Sequence, residues 1–228
     1  MHCRHAIYIC ETDTLLRGKM KKKPQLKTNK LPKPLLQGDF SMEAALLMRR
    51  SVSSFQKALI SLDELGQLLW AAQGVTNPDN FRTAPSAGAL YPINVYAAVG
   101  NVKGLDPGVY KYRPGTHDIV ETGNVDKREA LCRAALVQKT IRQAPVVIVL
   151  AANFEKTTVK YGRRGFRYVL LETGHMAQNI CLQAVALHLG SAVIGAFSDA
   201  KVSRILGLDR GYTPLYLLPQ GKPEETSK

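Results

Sequence analysis

Three short stretches of this chain carry side chains that can do chemistry. Arg49-Arg50-Ser51 sets two guanidinium forks beside a hydroxyl, a group that suits a phosphate. Basic residues at a helix end also simply complement its dipole. Lys160-Tyr161 pairs an amine with a phenol, and such a pair can move a proton once burial or neighbours bring it toward neutrality. Thr83-Ala84-Pro85-Ser86-Ala87-Gly88-Ala89-Leu90-Tyr91-Pro92 lies between them. It is too small-sided to build a core and too apolar for a solvated linker. Small residues let its backbone approach something flat, and the prolines fix its path. Its N–H and C=O groups need partners, which the edge of a heteroaromatic ligand can supply. A tight connection before a strand uses the same residues.

Weaker candidates surround these. Gly195-Ala196-Phe197 ends an apolar run, a place where ligands often sit in sheets with helical cover. Lys222, after Gly221, can add a cation to a phosphate site or stand alone on the surface. His175 falls inside an apolar helical pattern and reads as a satisfied core histidine, with Glu172 as its partner or that of Arg167. The four cysteines, Cys3, Cys10, Cys132 and Cys181, show no zinc-knuckle or redox spacing, and Cys181 reads as a small buried hydrophobe. His2, Cys3, His5 and Cys10 could gather a metal only at a frayed end, so no metal site is expected.

The elements that must position these residues follow from pattern. Asp39-Phe40-Ser41 opens a helix that ends at Arg49-Arg50-Ser51. Ser61 and Glu64 have capping-box spacing ahead of Leu62, Leu65, Leu68, Leu69 and Ala72, and Gly74 stops that helix. Residues 93–99 read as a strand, and 108–113 with 117–121 as a hairpin or meander. Asp126 and Glu129 repeat the capping-box spacing and open a helix to about Val137. Residues 145–151 form a strand whose unbroken Val-Val-Ile-Val-Leu core points to burial on both faces. The longest helix, 166–189, is apolar on most sides and belongs in the middle of something, for which a dimer interface is a natural place. A strand over 192–197, a short helix over 199–206 and a last strand over 213–218 complete the chain. Helices and strands mix without strict alternation. The expected class is α+β, a mixed central sheet flanked by helices.

Bulk properties bound the function. The chain has 228 residues, enough to bury a substantial core in one domain. No apolar run reaches the roughly 18 residues that span a bilayer, and no signal-peptide pattern opens the chain, so a cytoplasmic location is the default. Net charge is +13, but residues 1–33 hold nine Lys and Arg against Glu11 and Asp13, which leaves 13 − 7 = +6 for the rest. The expected organisation is a basic, flexible arm over 1–38, a domain over 39–223 and a tail over 224–228. Met20 offers an alternative start. No nucleic-acid motif accompanies the basic arm, and nucleic-acid binding is not expected. A GxGxxG fingerprint is absent, against a Rossmann domain.

Taken together, several segments resemble the FMN-dependent nitroreductase superfamily. They are Arg49-Arg50-Ser51-Val52-Ser53-Ser54-Phe55, the helix from Leu65 to Gly74, the loop over 83–92, and Lys160-Tyr161-Gly162 running into Glu172-Thr173-Gly174-His175-Met176-Ala177-Gln178-Asn179. Ile194-Gly195-Ala196-Phe197 completes the set, and the likeness covers residues 40–223. The branch it is most similar to is that of the SagB-type dehydrogenases, which include azoline oxidases of modified-peptide biosynthesis.

The resemblance implies a homodimer with two FMN sites across its interface and the long helix in that interface. It implies that Arg49, Arg50 and Ser51 bind the FMN phosphate and ribityl chain, with Lys222 reaching the phosphate. Pro85, Ser86, Ala87, Gly88 and Leu90 would pass the flavin ring edge, with Gly195 and Ala196 near its other side. The Lys-Tyr pair of azoline oxidases maps to Lys160 and Tyr161. The family often has Arg or Lys where this chain has Ser53, so one flavin-directed cation is missing here or supplied elsewhere. The implied chemistry is hydride transfer through flavin N5, either oxidising an azoline to an azole in a peptide or passing electrons from NAD(P)H to a nitro compound or quinone. A non-catalytic flavin-binding scaffold uses the same residues.

Overall fold

The computed structural model describes residues 27–224. In chain order the elements are β1 (Thr28–Lys30), α1 (Met42–Met48), α2 (Leu62–Gln73), β2 (Ile93–Val99), β3 (Gly108–Arg113), β4 (Asp118–Gly123), α3 (Arg128–Ala134), α4 (Lys139–Gln143), β5 (Val146–Ala152), α5 (Glu155–Tyr161), α6 (Arg164–Ala186), β6 (Gly190–Ser191), α7 (Asp199–Leu206) and β7 (Thr213–Gly221).

The seven strands make one sheet in the order β1-β4-β3-β2-β5-β7-β6. Every pairing between named strands is antiparallel. Parallel pairing, expected from a mixed sheet, is confined to the isolated bridges Ser51–Ser191 and Ile60–Val102. The α+β class holds.

The apolar run of β5 explains the layering. Val146, Ile148, Leu150 and Ala152 join a core with Leu65, Leu68 and Leu69 of α2 and Val169, Met176 and Ile180 of α6. Val147, Val149 and Ala151 face a second core with Leu131 of α3, Ile141 of α4, and Val202 and Leu206 of α7. Alternate residues of a strand point to opposite faces, so a strand covered on both must be apolar throughout.

The Ser61 capping box forms as its spacing predicts: Ser61 Oγ accepts the Glu64 N–H (3.1 Å) and Glu64 Oε2 accepts the Ser61 N–H (2.6 Å). The second box does not form. Asp126 Oδ1 accepts from the Arg128 N–H and its carboxylate pairs with the Arg128 guanidinium, while Glu129 pairs with Arg133 and Arg142. Lys127 becomes the N-cap, and α3 stops at Ala134, short of Val137.

Other boundaries differ too. The strand expected over 192–197 does not form: within it only a single bridge joins Ile194 to Leu217, and the short β6 lies just before it, at Gly190–Ser191. Residues 27–38, assigned to a flexible arm, lie on the fold: β1 pairs with β4, Leu31 is buried, and Gln67 of α2 holds the Leu35 backbone through both its N–H and C=O. Residues 1–26 and 225–228, which include the rest of the arm, the amino-terminal His and Cys residues and most of the tail, lie outside the described residues.

Candidate functional site

Lys160 and Tyr161 sit at the end of α5, a helix that leads through Gly162 into α6. The two helices pack backbone to backbone. A Cβ on Gly165 would lie 2.9 Å from the Thr157 and Thr158 main chains, so only glycine permits this corner. The corner carries the Lys-Tyr pair to the loop. A Cβ on Gly88 would lie 2.7 Å from Tyr161 Oη and 2.9 Å from Lys160 Nζ. Gly88 also has φ +64°, in the left-handed region. Segments more than 70 residues apart in sequence thus meet at one point, the glycine backbone against the Lys160 amine and the Tyr161 phenol. Tyr168, one turn into α6, packs edge-on against Tyr161 at 5.2 Å.

The loop is fastened to α2 and α6. Thr83 donates its N–H to Gly74 O and its hydroxyl to Trp70 O, and Asn179 Nδ2 of α6 donates to Thr83 O. The guanidinium of Arg82 lies 3.9 Å over the Tyr91 ring. Residues 87–89 form one tight turn with Gly88 and Ala89 in the left-handed region. Ser86 Oγ accepts the Tyr91 N–H (2.9 Å) and donates to Glu172 Oε2 (2.6 Å). Glu172 is 4% exposed, and burial pushes its carboxyl up to about 7 against the pull of the Ser86 hydrogen bond and the Arg82 charge. Pro85, Gly88 and Ala89 are exposed, and Ser86, Ala87 and Leu90 half-buried.

Glu172 therefore serves the loop, and it is not a partner of His175 or Arg167. His175 itself is exposed on α6, not in the core. The helical spacing of 3.6 residues turns His175 away from the buried stripe of Val169, Glu172, Thr173, Met176 and Ile180. Sequence reasoning gave Glu172 only a structural pairing. Its signal was a carboxylate on the buried stripe of an otherwise apolar helix.

The basic candidates form a second group. Arg49 caps the end of α1, and the exposed Arg50 guanidinium donates to the Leu47 and Arg49 carbonyls. Ser51 bridges Ser191, and the Val52 N–H donates to Ser191 O. Further along, the Gln56 N–H donates to Lys222 O, which draws the end of β7 alongside this segment. The exposed Ser53 accepts the Thr140 hydroxyl at its carbonyl. Cys181 of α6 is buried beside Ser191, within reach of the Arg49 charge, and burial pushes its thiol up. Gly195 and Ala196 follow the Ile194 bridge and are exposed. A Cβ on Gly195 would meet Tyr216 at an ordinary 3.5 Å, so close packing within the subunit does not demand glycine there.

Glu172 marks the first group on α6 and Cys181 the second. Nine residues at 1.5 Å each place them about 13 Å apart along one helix. Among the described residues no group of three or more His, Cys, Asp and Glu gathers to hold a metal, and no helix is long and apolar enough to cross a membrane.

Comparison with known proteins places the fold. The model of the Nitroreductase family matches residues 46–222. A nitroreductase-family protein of Methanocaldococcus jannaschii, MJ1384, is 44% identical over 187 residues, 82% of this chain and 93% of that protein. The microcin B17-processing protein McbC of Escherichia coli is 30% identical over 161 residues, 68% of this chain and 59% of its own length. A crystal structure from the nitroreductases of Anabaena variabilis superposes with a TM-score of 0.78 at 27% identity, covering 93% of this chain and 45% of that one. A chain of the E. coli microcin synthetase McbBCD complex with truncated pro-MccB17 superposes with a TM-score of 0.69 at 25% identity, covering 96% of this chain and 85% of that one. The chain thus spans nearly all of the archaeal relative and under two thirds of McbC. It belongs to the nitroreductase family of oxidoreductases.

Proposed function

We propose that this chain is an FMN-dependent oxidoreductase that transfers hydride through flavin N5, and that its substrate is an azoline ring in a modified peptide. The observation that carries the proposal is the contact of the Gly88 backbone with Lys160 and Tyr161. It sets the candidate ring-edge loop and the candidate proton-transfer pair around one point.

The donor set fits FMN. Arg49, Arg50, Ser51 and Lys222 stand on two paired segments and offer cations and a hydroxyl to a phosphate. Pro85 to Leu90 offer backbone polar groups and no bulk to a ring edge, and Gly195 and Ala196 are equally small. FMN, when bound, accepts the hydride; the protein orients the reactants and handles the proton. Converting an azoline to an azole removes one hydride and one proton from ring carbons. Lys160, as the free amine, would take that one proton, with Tyr161 beside it to orient the amine. A homodimer with the α6 faces apposed completes the arrangement, in a cytoplasmic setting.

The archaeal relative favours a second reading, in which NAD(P)H is the donor and a nitro compound or quinone the acceptor. That reaction needs no proton removed from carbon. Lys160→Ala and Tyr161→Phe should therefore lower azoline dehydrogenation by 10²-fold or more, on the order of a general base's contribution, and leave NAD(P)H-driven reduction largely intact. Equal loss of both activities overturns the role assigned to the pair. A purified protein that is colourless and fails to take up added FMN overturns the proposal as a whole.

A further inference from the structure

The loop holds three residues in the left-handed region: Gly88 at φ +64° and Ala89 at +54°, then, past an ordinary Leu90, Tyr91 at +45°. For the two residues with a Cβ this region is sterically disfavoured. Such a shape persists only where neighbours over-determine it. Inside the loop Ser86 ties the bend at two points. The Ser86 carbonyl accepts the Ala89 N–H (3.0 Å), and Ser86 Oγ accepts the Tyr91 N–H (2.9 Å). The same hydroxyl is tied from outside, by its 2.6 Å bond to Glu172 Oε2 in the middle of α6.

We propose that Glu172 is a positioning residue: acting through the Ser86 hydroxyl, it holds loop 85–91 in the bent form that lays the Gly88 backbone against Lys160 and Tyr161 and presents the loop to the flavin ring. The proposal rests on the FMN reading for its last clause alone. The restraint on the loop belongs to the protein whatever binds there. Glu172 is 4% exposed, so it touches the loop and not the solvent, and its one charged neighbour across the gap is Arg82, itself stacked on Tyr91. Carboxylate, hydroxyl, amide and guanidinium thus close on the two ends of the bend.

Two readouts test it together on the full chain: hydrogen exchange of the Tyr91 amide in the cofactor-free protein, and the affinity for FMN from flavin fluorescence. The variants are Glu172→Leu, Glu172→Gln and Ser86→Ala. Ser86 is half-buried, so Ser86→Ala serves even where Glu172→Leu fails to fold. Loss of the Ser86–Glu172 hydrogen bond should speed Tyr91 exchange about tenfold or more in Glu172→Leu and Ser86→Ala, and weaken FMN binding by a similar factor. Glu172→Gln, which keeps an acceptor for the hydroxyl, should restore most of both. Unchanged Tyr91 exchange in the two disruptive variants overturns the proposal. So does faster exchange with wild-type FMN affinity, the mark of a merely structural contact. A wild-type chain that takes up no FMN refutes the FMN reading instead, and the exchange measurement then decides the role of Glu172 by itself.

Discussion

At Glu172 the pH dependence of stability should run opposite to that of a paired surface acid. Its carboxyl rises from an ordinary 4.5 to about 7 because burial penalises the charged form more than Ser86 and Arg82 favour it. Between those two values the folded chain holds a proton that the unfolded chain has lost. This group's contribution is therefore fully present below pH 4.5 and is lost as pH rises to 7. At 1.36 kcal/mol per pH unit the loss is roughly 3 kcal/mol. Asp118 has the opposite sign: the Arg113 guanidinium holds it below the usual range, and its contribution is lost toward low pH. Glu172→Gln isolates the first effect. Urea unfolding of wild type and variant should give a stability difference that moves by about 3 kcal/mol in favour of Gln between pH 4.5 and 8. A difference independent of pH would mean that Glu172 stays ionised in the fold.

Among the elements, α2 offers the cleanest test, because its start rests on two reciprocal hydrogen bonds at the edge of the main core. Ser61→Ala removes the acceptor for the Glu64 N–H, and the Ser61 N–H loses the geometry that brings it to Glu64. The expected cost is about 1 kcal/mol, a fall of about 2–4 °C in Tm for a chain of this size, readable by calorimetry. A shift below about half a degree would show that packing alone sets this end. The same helix shows why some elements were legible in sequence and others not. Capping spacing and a 3.6-residue apolar repeat over twelve residues mark α2 without ambiguity. Helix α5 carries no such mark. Its Glu155-Lys-Thr-Thr-Val-Lys-Tyr is rich in β-branched residues, which disfavour helix, and it is held by packing against Gly165. Yet α5 positions Lys160 and Tyr161. The residue types of the site were therefore readable while its geometry was not. β1 hides in a basic run because its pairing partner, β4, lies ninety residues on. The strand expected over 192–197 has the right apolar pattern, but its pairing with β7 stops at the Ala192 N–H to Pro219 O bond and the Ile194–Leu217 bridge.

For the whole molecule, the open question is what covers its exposed apolar side chains. Leu46, Leu47 and Met48 of α1 and Phe166, Leu170 and Leu171 of α6 are each more than half exposed. Isolated exposed apolar residues are ordinary, but six large ones on two helices that pack together are the mark of a surface that associates. A second copy of the chain suits them, in keeping with the interface-built sites that the family resemblance implies. The two groups of candidate residues sit at different levels of α6, and a partner laid along that helix reaches both. Leu47→Glu and Leu171→Glu place charges on this surface without touching the core, so each variant should keep the wild-type circular dichroism. Each buried, unpaired carboxylate costs several kcal/mol, enough to shift a micromolar-range dimer to monomer. Sedimentation velocity should show a dimer for wild type and a monomer for the variants, and FMN should be lost with the dimer. A wild-type chain that sediments as a monomer and still holds FMN would mean that each subunit builds its site alone. The apolar surfaces of α1 and α6 would then have to face something other than a second copy.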